Sequence, residues 1–237
     1  MPVVPVAYAV EWFARAAAAC APSLRLVELS GISVLKGLLL TDDDLDLVVN
    51  ARILTSAAHE CTVRLDLVDA TTGRAHYRCT ATLSDANEAP SSAPPRVRTA
   101  AGGPPRYGTD VLFHGPAFQV IDSVAAVSTG LVATVRSVAQ LSWPAEPWVT
   151  DPALIDGSLQ LALLWTEQLL GAPSLPTGIG RVRLFGGFAG VPGTATLTGR
   201  RSTATRVVCD VLLADQGGAV IVELEGIEIH ALPSTLS

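Results

Sequence analysis

An acidic residue and an amide stand four positions apart in DPALIDGSLQLALLW, residues 151–165, a stretch otherwise typical of a buried apolar helix. Side chains at i and i+4 share one helix face, so Gln160 can hydrogen-bond to Asp156 and orient its carboxyl group. A carboxyl group in apolar surroundings has a raised pKa, because burial disfavours its charged form. The pair therefore indicates a general acid that works near neutral pH. The plainer alternative is an acid near a helix start that favours the helix dipole.

Other residue types that could do chemistry are scattered along the chain. His59 and His76 are assigned to first-half strands and His230 to the final strand, and all three are interpreted as structural. His114 lies within FHGPAF and is interpreted as shaping the mouth of a site. The four cysteines show no C-x-x-C spacing, which predicts reduced core residues rather than a disulfide framework or a metal site. No phosphate-binding glycine motif is present, so we expect no nucleotide, flavin or metal cofactor.

Composition narrows the function further. The chain has 237 residues, of which 49% are hydrophobic and 16% charged, a composition typical of a folded protein with a large core. The net charge of −6 provides no broad positive field for nucleic acid or an anionic membrane. No apolar run reaches the roughly 18 to 20 residues that a membrane span needs. We expect a soluble cytoplasmic protein.

The N-terminal stretch VAYAVEWFARAAAAC, residues 6–20, lacks the basic start of an export signal and is predicted to be an amphipathic helix. Glu11 and Arg15 are spaced i,i+4 and are expected to face solvent together. The opposite, apolar stripe comprises Val6, Val10, Phe13 and Ala17.

Two halves of the chain repeat one order of elements. Residues 84–106 contain five prolines among Ser, Ala and Gly, which predicts a linker between an N-terminal lobe, residues 1–83, and a C-terminal lobe, residues 107–237. Each lobe has a helix, at residues 5–20 and 152–170, followed by two strands and a hairpin. The strands alternate apolar and polar residues, as in a sheet with one buried face. The pattern predicts an α+β protein in which each half is a curled antiparallel sheet around one long helix, with a crevice between lobes.

This arrangement resembles the double hot-dog dehydratase domain of modular polyketide synthases and polyunsaturated fatty acid synthases. Three stretches support the likeness, namely PVVPVAYAVEWFARA at the start, LFHGPAFQVI at 112–121 and DPALIDGSLQ at 151–160. Asp156 and Gln160 match the second-lobe Asp-x-x-x-Gln motif of that family. The resemblance implies that Asp156 is the acid that protonates the departing hydroxyl of a 3-hydroxyacyl thioester. Backbone N–H groups at a helix N-terminus could polarise the thioester carbonyl.

The resemblance also implies which residues surround the substrate and which partners deliver it. His114, Gly115, Pro116 and Phe118 would form the wall near the acyl chain, and Pro5 is the proline of the first-lobe motif. Tyr107, just before this wall, is not included in the predicted site. The substrate would arrive on the phosphopantetheine arm of an acyl carrier protein, among neighbouring synthase domains. No cofactor of the domain's own is implied, and a homodimer is compatible with the resemblance.

The catalytic base is the missing part of the expected site. In the family it is the histidine of His-x-x-x-Gly-x-x-x-x-Pro, and aligning that proline to Pro5 places the glycine immediately before Met1 and the histidine four residues further upstream. We therefore expect a dehydratase whose base precedes this sequence. Two alternatives remain: an acyl-binding or scaffold domain without a base, and a product-template domain that directs cyclisation, which LFHGPAFQ disfavours.

Overall fold

The computed structural model describes residues 3–39, 45–86, 89–90, 102–144, 146–186, 188 and 190–233. In the first lobe the elements are α1 Val6–Cys20, β1 Arg25–Val34, β2 Leu47–Ser56, β3 Glu60–Asp69 and β4 Ala75–Ser84. In the second they are β5 Ile121–Val127, β6 Gly130–Val135, α2 Pro152–Leu170, β7 Ser174–Leu184, β8 Gly193–Ser202, β9 Arg206–Ala214 and β10 Val220–Ala231. One-turn 3-10 helices lie at Pro116–Phe118 and Val138–Gln140.

The strands form one antiparallel sheet of ten strands, in the order β2-β3-β4-β1-β7-β10-β9-β8-β6-β5. The first-lobe order β2-β3-β4-β1 is mirrored by β8-β9-β10-β7 in the second lobe, and the two halves meet where Glu28 of β1 pairs with Arg183 of β7. α1 packs on β1 to β4, α2 packs on β5 to β10, and the two helices contact each other. The predicted α+β double hot-dog architecture is confirmed, with the two sheets fused edge to edge.

Strand burial follows the predicted alternation. In β3 the residues Cys61, Val63, Leu65 and Leu67 are buried, and their neighbours in the strand are more exposed. A strand with this period of two places one face on the core and the other toward solvent. The sheet can therefore curl around α1 with an apolar inner face.

One expectation for α1 is wrong. Glu11 does not face solvent: its side chain is fully buried, although Arg15 is part-exposed as predicted. Its carboxylate accepts hydrogen bonds from the backbone N–H groups of Val149 and Thr150 at 2.9 and 2.8 Å and from the Thr150 hydroxyl at 2.7 Å. The Arg15 guanidinium lies 2.7 Å away. Glu11 thus ties the first-lobe helix to the segment that leads into α2, a contact that no helical period could show.

α2 begins and ends as its sequence dictates. Asp151 is the N-cap, and its carboxylate accepts the N–H groups of Ala153 and Leu154, both at 3.1 Å. Pro152 occupies the first helical position, where its missing N–H has no cost. Gly171 ends the helix in the left-handed conformation, with φ 61°. Asp156 therefore lies in the second turn, and the helix dipole is already met by Asp151.

Gly157 sets how closely α2 approaches the sheet. A Cβ atom at this position would lie 2.2 Å from Cγ1 of Val135 in β6. This is far inside van der Waals contact, so only glycine permits the observed approach. The turn of α2 that carries Asp156 is held against β6 in this way.

Several further expectations can be compared with the structure. His59 lies in the turn before β3, not within a strand, and it pairs with Asp85 at 2.7 Å. The described cysteines are free thiols, as predicted. β5 and β6 are additions of the second lobe that the repeat did not reveal. Of the predicted linker, residues 87–88 and 91–101 lie outside the described residues, and Gly103 pairs with Val124 on the edge of β5.

Candidate active site

A cavity of about 580 Å³ lies between the two lobes. Its walls are mostly apolar, and they come from the start of α1, the end of β1, the 113–118 loop, α2 and the start of β7. The described lining residues are Val3, Val4, Pro5, Val6, Tyr8, Trp12, Val34, Gly37, Tyr77, Phe113, His114, Gly115, Phe118, Asp156, Leu159, Gln160, Leu163, Leu175 and Pro176. A cavity of this size and composition suits an extended apolar chain with one reactive end.

Asp156 is the acidic group of this cavity. Its side chain is 4% exposed, and burial raises its pKa to about 7. The hydrogen bond from Gln160 lowers the pKa, but less than burial raises it. A carboxyl group with this pKa holds a proton for much of the time at neutral pH and can donate it to a leaving group.

Gln160 holds Asp156 through a continuous chain of hydrogen bonds. Its Nε2 donates to Oδ2 of Asp156 at 2.7 Å and to the carbonyl of Phe118 at 2.8 Å. Its Oε1 accepts from the Tyr107 hydroxyl at 2.8 Å. The Tyr107 oxygen in turn accepts the N–H of Ile121 at 3.0 Å. The predicted contact between Asp156 and Gln160 is therefore present, and Tyr107 is a participant that the sequence prediction omitted.

His114 lies beside the acid. Its Nε2 is 3.9 Å from Oδ2 of Asp156, beyond hydrogen-bond distance, and burial lowers its pKa to about 4. Its Nδ1 is buried without a hydrogen-bond partner among the described residues. The ring stacks on Phe113, with centroids 5.0 Å apart. The imidazole is therefore neutral at neutral pH and lines the cavity wall.

The structure brings together most of the predicted site. Pro5, Gly115 and Phe118 line the cavity with Asp156 and Gln160, whereas Pro116 begins the exposed 3-10 turn and is not among the lining residues. The other histidines of the described chain lie elsewhere: His76 is a strand residue with Nδ1 3.1 Å from the Lys36 carbonyl, and His230 is in β10.

An aromatic wall also escaped the sequence prediction. Tyr8 and Trp12 of α1 line the cavity, and Tyr8 packs on Phe118 and Trp143 with ring centroids 5.9 and 5.6 Å apart. Tyr8 and Trp12 are spaced i,i+4, so they share a face of α1. That spacing is the signal in VAYAVEWF that could have placed them together.

The two helices present different N-termini to the site. α1 begins at the cavity, its N-cap Pro5 supplies no capping side chain, and Val6 is also in the cavity wall. The first N–H groups of α2 are instead occupied by Asp151. Free N–H groups and the positive end of a helix dipole favour a negatively charged oxygen. Of the two helices, α1 thus has the N-terminus available to an oxyanion.

Metal clusters and membrane-spanning helices are both absent from the part of the chain that the structure describes. No group of three or more His, Cys, Asp or Glu residues in the described ranges is arranged to hold a metal ion. No helix within those ranges is long and apolar enough to cross a membrane.

Fold and site together define a double hot-dog protein with a buried acid in an apolar cavity. Residues 85–236 match the family described as the polyketide synthase dehydratase N-terminal domain. The chain belongs to this polyketide synthase dehydratase family.

Individual relatives agree with this assignment. One of the polyunsaturated fatty acid synthase subunits of Thraustochytrium sp. is 32% identical over 116 residues, which are 45% of this chain and only 4% of that protein. The chain thus spans a small part of the curated relative that it matches.

Solved structures share the fold. The dehydratase domain of PpsC from Mycobacterium tuberculosis, in complex with C12:1-CoA, has a TM-score of 0.71 at 22% identity, over 97% of this chain and 85% of that one. The dehydratase domain of a mycocerosic acid synthase-like polyketide synthase has a TM-score of 0.73 at 22% identity, over 97% and 82%. A trans-acyltransferase polyketide synthase enoyl-isomerase scores 0.72 at 13% identity, over 96% and 90%, so the fold alone does not decide the reaction.

Proposed function

We propose that this domain removes water from a 3-hydroxyacyl thioester carried on an acyl carrier protein and leaves an enoyl thioester. The observation that carries the proposal is Asp156, a buried carboxyl group with a pKa of about 7 in an apolar cavity between the lobes. A proton donor in water-poor surroundings is what the departure of hydroxide from an acyl chain requires.

The proposed step balances with one acid and one base. The base removes a proton from the carbon next to the thioester carbonyl, a carbon–carbon double bond forms, and the carbon–oxygen bond breaks. Asp156 gives its proton to the departing hydroxyl, which leaves as water. The base is the histidine that the family motif places upstream of Met1, so the reacting carbons would lie between Asp156 and the start of α1.

The N-terminus of α1 would stabilise the charge that develops on the thioester oxygen. Pro5 and Val6 are in the cavity wall, and the helix start has no side-chain cap among the described residues. Backbone donors fixed in this position need no reorganisation as the negative charge grows. We assign to this helix start the donors that the sequence prediction left without residue numbers.

The partners follow from the proposed substrate. The acyl chain would enter on the phosphopantetheine arm of an acyl carrier protein within a larger synthase, and the PpsC domain bound to C12:1-CoA supports an acyl thioester as the substrate class. The chemistry needs no cofactor of the domain's own. We also propose a cytoplasmic location and leave the homodimer as part of the same proposal.

The second candidate is an acyl-binding or scaffold domain without its own turnover. It is favoured by the positions of the described first-lobe histidines: His59 is exposed on Asp85, and His76 is bonded near Lys36. His114 lines the cavity, but it lies on the same side as the acid it would have to oppose.

The test is turnover of a 3-hydroxyacyl pantetheine thioester, followed by mass spectrometry for the loss of water. We compare this chain with one extended upstream in its reading frame to include the expected histidine. The extended chain should form enoyl product, and Asp156→Ala should reduce the rate by about 100-fold or more. Undiminished activity in Asp156→Ala, or no product from an extended chain that holds the histidine, would reject the dehydratase.

Binding separates the second candidate from a domain that has lost its site. If a non-reactive acyl pantetheine binds and no product forms from the extended chain, the acyl-binding domain is supported. If the upstream reading frame closes, or places another residue at the histidine position, the two-residue mechanism fails and the scaffold explanation replaces it.

A further inference from the structure

Gln160 can face Asp156 in two ways, and only one of them helps the acid. A carboxamide has an acceptor oxygen on one side and two N–H donors on the other. If the NH2 group faces Asp156, it stabilises the carboxylate left after proton transfer. If the oxygen faces Asp156, it repels that carboxylate. The direction of the amide must therefore be set by the groups behind it, because hydrogen-bond partners decide such orientations.

Tyr107 provides the group behind Gln160. Its oxygen already accepts the N–H of Ile121 at 3.0 Å, so the single hydroxyl proton is directed to Oε1 of Gln160 at 2.8 Å. Burial raises the pKa of Tyr107 to about 12, so the hydroxyl keeps this proton throughout the neutral range. A donor fixed at Oε1 obliges the NH2 group to face the other way.

The opposite side of Gln160 confirms that the orientation is fully used. The amide nitrogen has two hydrogens, and its two acceptors are Oδ2 of Asp156 at 2.7 Å and the Phe118 carbonyl at 2.8 Å. Gln160 is buried, so a reversed amide would place its oxygen against both acceptors with no water to compensate. The chain from Ile121 through Tyr107 and Gln160 to Asp156 therefore has one consistent direction.

Tyr107 also closes the loop that forms part of the cavity wall. Its bond to Ile121 joins the two ends of the segment 107–121, which carries His114, Gly115 and Phe118. Tyr107 itself is not among the residues that line the cavity. Any influence it has on the reaction must pass through Gln160 or this loop.

We propose that Tyr107 is a positioning residue, which fixes the direction of the Gln160 amide and so holds the carboxyl group of Asp156 ready for proton donation. This inference rests on the proposed function for its catalytic meaning, but its physical content is the state of one carboxyl group. Tyr107→Phe keeps the ring and removes only the hydroxyl. The Gln160 amide is then free to turn, and Asp156 loses a constant donor to its charged form.

The experiment is a carbon NMR titration of the chain with labelled aspartate carboxyl groups, in which the Asp156 signal is assigned by its absence from Asp156→Asn. The Tyr107→Phe variant should raise the pKa of Asp156 by about half a unit or more, because a donor to the carboxylate is weakened. In the Gln160→Ala background the same change should have no further effect, since the residue that transmits it is absent.

Thr109→Val is the matched control for damage to the loop. The Thr109 hydroxyl accepts the N–H groups of Val111 and Leu112 at 3.3 and 3.1 Å within the same segment and does not touch Gln160. It should leave the pKa of Asp156 unchanged. An unchanged pKa in Tyr107→Phe, or an equal shift in the Gln160→Ala background, would overturn the proposal.

Hydrogen exchange of the unmodified chain decides the matter if Tyr107→Phe does not fold. The two side-chain amide hydrogens of Gln160, assigned by their absence from Gln160→Ala, should be separate and exchange slowly. Fast exchange with averaged signals would overturn a fixed amide. Both measurements are independent of turnover, so a failed dehydration assay would reject the proposed function and leave the role of Tyr107 to be judged by itself.

Discussion

Two buried carboxyl groups, one on each long helix, have opposite surroundings. Glu11 on α1 is fully buried and receives four hydrogen bonds, one of them from the Arg15 guanidinium. Asp156 on α2 is nearly as buried, and it receives one neutral donor from Gln160 and has no cation within hydrogen-bond distance among the described residues. Burial with a complete set of donors favours an anion that holds structure, whereas burial with few donors favours a carboxyl group that keeps its proton.

The comparison extends to the helices themselves. Counted from each N-cap residue, the position of Asp156 in α2 is occupied by Val10 in α1, and that of Gln160 by Ala14. The lobes share an order of elements, but the acid and its amide are found on one of them only. The first lobe supplies an open helix start and aromatic residues in their place. A repeated fold has thus been divided into two different halves of one cavity.

The largest expected effect breaks the comparison at Asp156. In the extended chain, Asp156→Asn should lower turnover of the 3-hydroxyacyl thioester by about 100-fold or more, since the amide cannot supply the proton. Glu11→Gln should retain turnover per folded molecule, measured at a temperature where the variant is folded. Equal losses of turnover in the two variants would contradict the division of roles.

The pH dependence of stability sharpens the contrast. The pKa of Asp156 is raised from 3.8 to about 7, so between these pH values the unfolded chain releases a proton that the folded chain keeps. Wild-type stability should therefore fall relative to Asp156→Asn as pH rises through this window, and level off above it. The full difference should be roughly 1–4 kcal/mol, measured by denaturant unfolding from pH 4 to 8. A pH-independent difference would mean that Asp156 is not protonated in the folded chain.

Glu11 should matter for stability instead. Glu11→Gln removes the charge that the Arg15 guanidinium and three further donors surround, and it should lower the free energy of unfolding by about 3 kcal/mol. Glu146→Gln is the matched control, because Glu146 is the part-exposed second partner of Arg15 at 2.8 Å. It should cost at most about 1 kcal/mol. Similar losses in urea unfolding of both variants would show that burial of Glu11 carries no special weight.

The smallest expected effect concerns the seat of α2. Gly157→Ala places a methyl group against Val135 and should destabilise the chain by about 1 kcal/mol, because overpacking is partly offset by the better helix propensity of alanine. In Val135→Ala the same substitution should be neutral or stabilising. Thermal unfolding of the two single variants and the double variant measures this coupling. An additive result would show that the close approach of α2 to β6 is not limited by this contact.

Much of the fold followed from local signals in the sequence. Period-two burial in strands such as β3 and the cap residues of α2 are written in neighbouring residues, and the repeat of elements gave the two lobes. β5 and β6 escaped because they have no counterpart in the first lobe. The burial of Glu11 escaped because its partners Val149 and Thr150 are far away in the chain.

The site was predictable where its members share a helix. Asp156 and Gln160 are four residues apart, so their contact is a property of α2 alone. Tyr107 reaches Gln160 only after the 107–121 segment has folded back on itself, a geometry without a local pattern. Pro116 was included with its neighbours, yet the 3-10 turn directs alternate residues to different sides, and Phe118 lines the cavity where Pro116 does not.

The junction of β1 with β7 also has a consequence for synthesis of the chain on the ribosome. Glu28 waits for Arg183, so β1 emerges long before the strand that will satisfy its outer hydrogen-bonding groups. Until then the nascent first lobe presents an unpaired strand edge, which is a template for aggregation. Closure of this edge over such a long chain segment is intrinsically slow. The last third of the protein thus acts as the internal chaperone of the first.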